Sequence, residues 1–262
     1  MEEISANQIK IEGGFWGPRL EMNAVKALSH QWEQLERTGC IQNFRLVADG
    51  AEGIREGYFF ADSDAFKWLD AAARIYRSHP SPSLKNLMDA FIDLVGRTQE
   101  ADGYIYTYNQ LHFPGVRWQN LQIEHELYCH GHLIEAAVSH FEASGERSLL
   151  EIGLKAAALL EADFATAGPQ ATPGHQEIEI ALILLYRLTG DRRHLDLAAA
   201  FLERRGRMRP FVSHILANNK SVQARGEQVA REHAAYIETH PEHGEQFQLP
   251  GDNLSIKPPW GR

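Results

Sequence analysis

Phe141-Glu142-Ala143-Ser144-Gly145-Glu146-Arg147-Ser148-Leu149-Leu150 and Tyr186-Arg187-Leu188-Thr189-Gly190-Asp191-Arg192-Arg193-His194-Leu195 carry one pattern twice, 45 residues apart. In each, an aromatic residue lies in the last turns of one apolar-periodic run. A glycine then stands where a helix ends in a left-handed residue. An acidic residue follows, suited to the positive N-terminal end of the next helix. A pattern of this kind at a fixed period reads as stacked αα-hairpins joined by tight turns. Upstream, Tyr76 to Leu84 makes the same turn with Pro80 and Pro82 in place of glycine. Proline disfavours helix at the residue before it and suits the first turn of the next.

Working outward from these turns, helical spacing covers about 19–37, from Leu20 through Ala24, Leu28 and Trp32 to Leu35, and ends at Gly39. Further helices are predicted over 62–78, from 82 to about 95, and over 121–144, 147–164, 175–188 and 192–204. An eighth is suggested over 221–239. Residues 40–60 read as irregular, and 100–120 as a long aromatic loop turning at Asp102-Gly103. Sustained alternation and Asn-Gly hairpin turns are absent, so the class is all-α.

The 262 residues carry a net charge of −9 with 44% hydrophobic residues, so a real core can form. The acidic balance argues against nucleic acid and against an anionic membrane surface as partners. No apolar run approaches the length of a membrane span, and Met1-Glu2-Glu3-Ile4-Ser5 does not open a secretory leader. Two cysteines, Cys40 and Cys129, cannot make a disulfide scaffold. The expected location is the cytoplasm.

Four places can carry chemistry. In His125-Glu126-Leu127-Tyr128-Cys129-His130-Gly131-His132 a continuous helix would put His125, Cys129 and His132 on one face, a possible zinc set. The metalloprotease pattern has a second histidine where Cys129 stands, and the plainer reading is that His125 faces a pocket while His130 and His132 pack. In Pro173-Gly174-His175-Gln176-Glu177, His175 reaches a helix start, where a neutral imidazole could bond a hydroxyl. Gln176 and Glu177 could equally be capping residues. Asp62 and Asp64 read first as capping acids. Trp118, after a loop bearing Tyr104, Tyr106, Tyr108 and Phe113, offers the aromatic face typical of sugar sites. Glu124, Glu126 and Glu177 are nominal carboxylates for glycoside hydrolysis, none set apart by its surroundings.

Taken in order, several stretches resemble glycoside hydrolase family 127, the β-L-arabinofuranosidase family. They are Gln42-Asn43-Phe44-Arg45, Asp62-Ser63-Asp64-Ala65-Phe66-Lys67-Trp68, Gln99-Glu100-Ala101-Asp102-Gly103-Tyr104, Arg117-Trp118, His125 through Ala137, Gly174-His175-Gln176-Glu177-Ile178, and Leu185 through Asp191. The resemblance implies an (α/α)6 toroid and a retaining mechanism, with a zinc-bound cysteine thiolate as nucleophile and a glutamate as acid/base. It implies that the zinc is held by a Glu-x-Cys motif and a Cys-Cys pair, and this sequence contains neither. No catalytic and no metal-ligating residue is therefore carried over. His125 and His175 match histidines expected to contact arabinofuranose hydroxyls, Gln42 matches an early polar contact, and Trp118 and Asp64 complete the expected sugar-binding set.

Seven or eight helices make three or four hairpins, where an (α/α)6 ring needs six. The expectation is thus an incomplete toroid: residues 1–206 as the N-terminal part of a catalytic domain, and 207–262 as a loosely structured tail from an interrupted insertion loop. The expected substrate is an arabinofuranoside or related pentose glycan. The alternative is a non-catalytic helical-repeat module that binds a sugar or a protein.

Overall fold

The computed structural model describes residues 9–11 and 13–241. The end of the expected 207–262 tail, beyond residue 241, lies outside the described residues. The chain divides into two compact units, Met1–Val222 and Gln223–Arg262.

The first unit is built from helical hairpins. Helix α1 (Gly17–Met22) runs through a π-helical turn (Asn23–Ala27) into α2 (Leu28–Arg37), and α3 (Cys40–Asp49) follows at once. Then come α4 (Asp62–Ser78), α5 (Pro82–Thr98), the short α6 (Thr107–His112), α7 (Glu126–Ser144), α8 (Ser148–Phe164), α9 (Ile178–Thr189) and α10 (Arg192–Arg204). No strand occurs among the described residues. The helices alternate between two layers. In one, α2 packs on α4, α4 on α7 and α7 on α9; in the other, α3 packs on α5, α5 on α8 and α8 on α10. That alternation, carried through four consecutive hairpins, is the packing of an α/α toroid, and the class is all-α.

The turns form as their glycines dictate. Gly145 and Gly190 both sit at φ 73°, capping α7 and α9, and their amides return to Phe141 O and Tyr186 O, each at 2.8 Å. At the proline turn, Ser81 Oγ caps α5 by accepting from the Leu84 amide.

Helix α3 lies where the sequence reads as irregular. Gly39, at φ 76°, ends α2 and also starts α3, so one left-handed residue joins two helices. Ile41, Phe44 and Leu46 of α3 are buried. Phe44 meets Phe66 at 5.6 Å and Phe91 at 5.3 Å between ring centroids, locking α3 to α4 and α5. Each fully buried Phe or Leu of this kind contributes about 1.5–3 kcal/mol. A second apolar cluster, around Phe164, Leu182, Leu197 and Phe201, joins α8, α9 and α10.

Helix α7 is the hub, with twelve of its 19 residues buried. Small residues let its neighbours approach. A Cβ on Gly131 would stand 2.7 Å from Glu177 Cγ beside α9, and one on Gly153 of α8 would stand 2.8 Å from Ala137 Cβ.

Helix α11 (Phe211–Thr239) crosses from the first unit into the second. The sequence pattern loosens after Gly206, yet residues 211–239 form one helix. Within the second unit its exposed face carries a pair one turn apart, Gln223 Nε2 to Glu227 Oε1 at 3.1 Å. No helix among the described residues is long and apolar enough to cross a membrane.

Candidate active site

The site is made where two loops are stitched together. Residues 121–125 lead into α7, and residues 168–177 lead into α9. The Gly174 amide donates to Leu121 O at 2.9 Å, and Gln122 Nε2 donates to Gln170 O at 3.0 Å and Thr172 O at 2.9 Å. A Cβ on Gly174 would lie 2.1 Å from Gln122 O, so only glycine permits this approach. The stitch brings His125 and His175 together, with ring centroids 5.9 Å apart. Leu121, Tyr128 and Pro173 join them in lining a shallow cleft.

His125 is not on the face of α7. It is the residue before the helix, at φ −89° and ψ 40°, and its ring turns toward the loop. Its Nδ1 lies 2.7 Å from Ile123 O. A carbonyl only accepts, so Nδ1 carries the proton and Nε2 is left as an acceptor. Burial, and then the nearby Lys67 charge, holds this imidazole below its usual pKa. His175 is exposed, makes no hydrogen bond to any described residue, and is also held low, by desolvation, His125 and His132. Both rings are therefore neutral at neutral pH.

Aromatic side chains surround the pair. Tyr128 packs edge-on to His125 at 5.1 Å and meets His175 at 4.4 Å. Phe59 and Phe60 each lie 5.4 Å from His125. Lys67 Nζ sits 4.8 Å above the Tyr128 ring and 2.9 Å from Ser63 Oγ. Phe59, Phe60, Tyr128 and Lys67 are neighbours of the histidine pair that the sequence reading did not single out. The signal for two of them was the run Tyr58-Phe59-Phe60, set just ahead of α4 in a stretch read as irregular.

The other expected contacts lie elsewhere. Asp64 is exposed in the first turn of α4 and pairs with Lys67 at 3.3 Å, one step removed from Tyr128. Gln42 lies on α3 with its Oε1 3.5 Å from Arg45 Nη1, which in turn binds Glu36. The Trp118 ring packs on Tyr104, His130 and Phe164, and its indole N–H donates to Asp163 at 2.8 Å. Neither Gln42 nor Trp118 lines the cleft.

Of the three nominal carboxylates, Glu126 is fully buried and accepts from Tyr104 OH at 2.5 Å, Asn109 Nδ2 at 3.0 Å and the Trp118 amide at 2.9 Å. It anchors the aromatic loop. Glu124 is buried beside the cleft. Glu177 faces His132 and Glu135, and burial and the neighbouring carboxylate push its pKa up to about 8.

The thiols do not fit the zinc chemistry that the resemblance implies. Cys40 Sγ donates to Ala61 O at 3.1 Å and Cys129 Sγ to Phe60 O at 3.8 Å. Burial pushes both thiols up, away from the thiolate that zinc requires. His125, Cys129 and His132 also do not converge, because each has a different partner.

Comparison with known proteins agrees with this architecture. The family model described as beta-L-arabinofuranosidase, GH127 catalytic domain, matches residues 8–243. A non-reducing end beta-L-arabinofuranosidase of Bifidobacterium longum subsp. longum is 33% identical over 227 residues, covering 76% of this chain and 34% of the relative. Among solved structures, a GH127 beta-L-arabinofuranosidase from Geobacillus stearothermophilus T6 superposes with a TM-score of 0.75 at 37% identity, covering 82% of this chain and 35% of that one. A GH127 beta-arabinofuranosidase gives 0.71 at 33% identity, covering 78% and 34%. The chain thus spans about a third of the length of the relatives it matches. With its two alternating helical layers, its stitched histidine loops and a match that runs nearly end to end, the chain belongs to the GH127 beta-L-arabinofuranosidase catalytic-domain family.

Proposed function

We propose that this chain forms a sugar-recognition wall of a glycosidase that releases terminal β-L-arabinofuranose. The observation that carries the reading is the pair of neutral imidazoles, 5.9 Å apart, facing one small cleft. His125 Nε2 accepts a sugar hydroxyl proton, and the exposed ring of His175 reaches a neighbouring hydroxyl. Phe59 and Phe60 offer flat apolar faces to the C–H side of the ring. The names of the relatives support the substrate class.

We assign this chain no acid/base and no nucleophile. Glu126 is fully engaged by three donors, and both cysteines are held as thiols. Retaining hydrolysis needs a carboxylic acid poised against a nucleophile on the scissile bond, and the proposed role here is to bind and orient the sugar for that step. Because both imidazoles must be neutral to accept, binding weakens as pH falls and they protonate.

Saturation-transfer NMR with methyl β-L-arabinofuranoside tests the reading. Transfer to the sugar protons is expected, with loss in His125→Ala and in His175→Ala. Absence of transfer in the unaltered chain, or full transfer in both variants, refutes it.

A further inference from the structure

The α7–α9 crossing builds a second site, apart from the sugar cleft. Because Gly131 has no side chain, Glu177 lies against α7. Its carboxylate meets His132 and Glu135, which stand three residues apart on one face of that helix. His132 Nδ1 lies 3.3 Å from Glu177 Oε1 and 3.4 Å from Glu135 Oε2, and the three ligand atoms fall within 4.8 Å of one another. All three side chains are largely shielded, at 13%, 10% and 19% exposure for His132, Glu177 and Glu135.

Two carboxylates share one imidazole here. Glu177 is 7% exposed, and its Oε1, aimed at His132, has no hydrogen-bond partner. One imidazole nitrogen carries at most one proton, yet two carboxylates converge on it. Arg74 and Lys67 act on Glu135 and Glu177 only through space, with their direct contacts made to Asp70 at 2.8 Å and to Ser63 and Asp64. Buried carboxylates are retained when they are paired or coordinate a metal. The spacing also suits an ion. A tetrahedral centre with bonds of about 2.05 Å separates its ligands by about 3.3 Å, the observed N–O separations.

We propose that His132, Glu135 and Glu177 form a binding site for one divalent transition-metal ion of the zinc class, with a fourth position left for water. One nitrogen and two carboxylate oxygens are a donor set that zinc accepts. The site differs in place and ligand type from the thiolate centre that the family resemblance implies. Its ion ties α7 to α9 beneath Tyr128, whose ring lies 4.4 Å from His132 and 4.4 Å from His175. The proposal does not depend on the identity of the sugar.

The test uses the purified chain, stripped with a chelator and titrated with Zn²⁺ by calorimetry, with Co²⁺ as a spectroscopic probe. One equivalent of zinc is expected to bind and raise the melting temperature. Co²⁺ is expected to give the intense visible bands of a four-coordinate site. Glu177→Gln and Glu135→Gln, which keep side-chain shape, should each weaken zinc binding about 100-fold or more, beyond the usual effect of losing an outer-shell partner. His30→Ala, at an exposed position on α2, should leave it unchanged. Absence of saturable binding overturns the proposal and leaves a shared proton as the occupant. Undiminished binding in both Glu→Gln variants also overturns it, by placing the ion on surface histidines. If either variant fails to fold by circular dichroism, the Co²⁺ spectrum of the unaltered chain decides, a six-coordinate spectrum counting against the site.

Discussion

Gly174→Ala is the sharpest test of how the cleft between His125 and His175 is assembled. The added methyl would stand 2.1 Å from Gln122 O and 2.6 Å from Gln122 C. Both are main-chain atoms, so no side-chain rotation relieves the clash. The φ of Gly174 lies outside the left-handed region, so the cost is steric alone. Restoring ordinary contact requires the two loops to part by about 1 Å, and overpacking of this kind costs roughly 1–3 kcal/mol. Parting also breaks the 2.9 Å bond from the Gly174 amide to Leu121 O, worth about 1 kcal/mol net. The expected loss is therefore about 2–4 kcal/mol. With a urea slope of about 2 kcal/mol/M, the unfolding midpoint falls by roughly 1–2 M. Sugar binding should fall with it, because His175 retreats from His125. The measurement is urea unfolding followed by tryptophan fluorescence, alongside the sugar NMR experiment. A midpoint within about 0.2 M of the unaltered chain would refute the claim that the approach at Gly174 holds the loops together.

Three further outcomes follow from the same geometry. Gly226→Ala, inside α11 with nothing within 4 Å of the new methyl, should stabilise that helix by about 0.5–1 kcal/mol, read as a rise in melting temperature; a fall would contradict it. Glu126→Gln should cost about 2–3 kcal/mol in urea unfolding, because its new N–H₂ must face either the Trp118 amide or the Tyr104 and Asn109 donors; unchanged stability would mean that the loop is anchored by other contacts. His130 is buried, with its pKa pushed down to about 4 and Nε2 unpartnered. The unfolded chain therefore takes up this proton first, and stability falls as pH drops from about 6.5 toward 4, by up to about 3 kcal/mol. Urea unfolding at pH 7 and pH 4.5 checks this, and His130→Gln should flatten the slope; an equal slope in the variant would exclude His130 as its source.

Much of the architecture was legible from punctuation. The boundaries of α5, α8, α9 and α10 follow from Pro82, Gly145 and Gly190, because proline and left-handed glycine act locally. Helix α3 escaped for the same reason, since Gly39 marks an end and a beginning with one residue. Helix α7 begins five residues later than the apolar periodicity suggests. That delay takes His125 off the helix and dissolves the zinc set read from its spacing. The meeting of His125 with His175 had no local signature. It depends on Gly174 approaching the backbone at Gln122, 52 positions earlier. The family resemblance singled out both histidines. The aromatic neighbours and the place of Trp118 against Tyr104 needed three dimensions.

The stitch between the two loops has a consequence for how such a site changes over generations. Its central bond runs from one main chain to another, and the Gln122 amide nitrogen donates to main-chain oxygens. Every acceptor in the stitch is thus a main-chain oxygen, while the linings at 121, 123 and 173 remain open to replacement. Such a framework separates the spacing of its two histidines from their surroundings. Selection can alter the linings one at a time, without first dismantling the stitch.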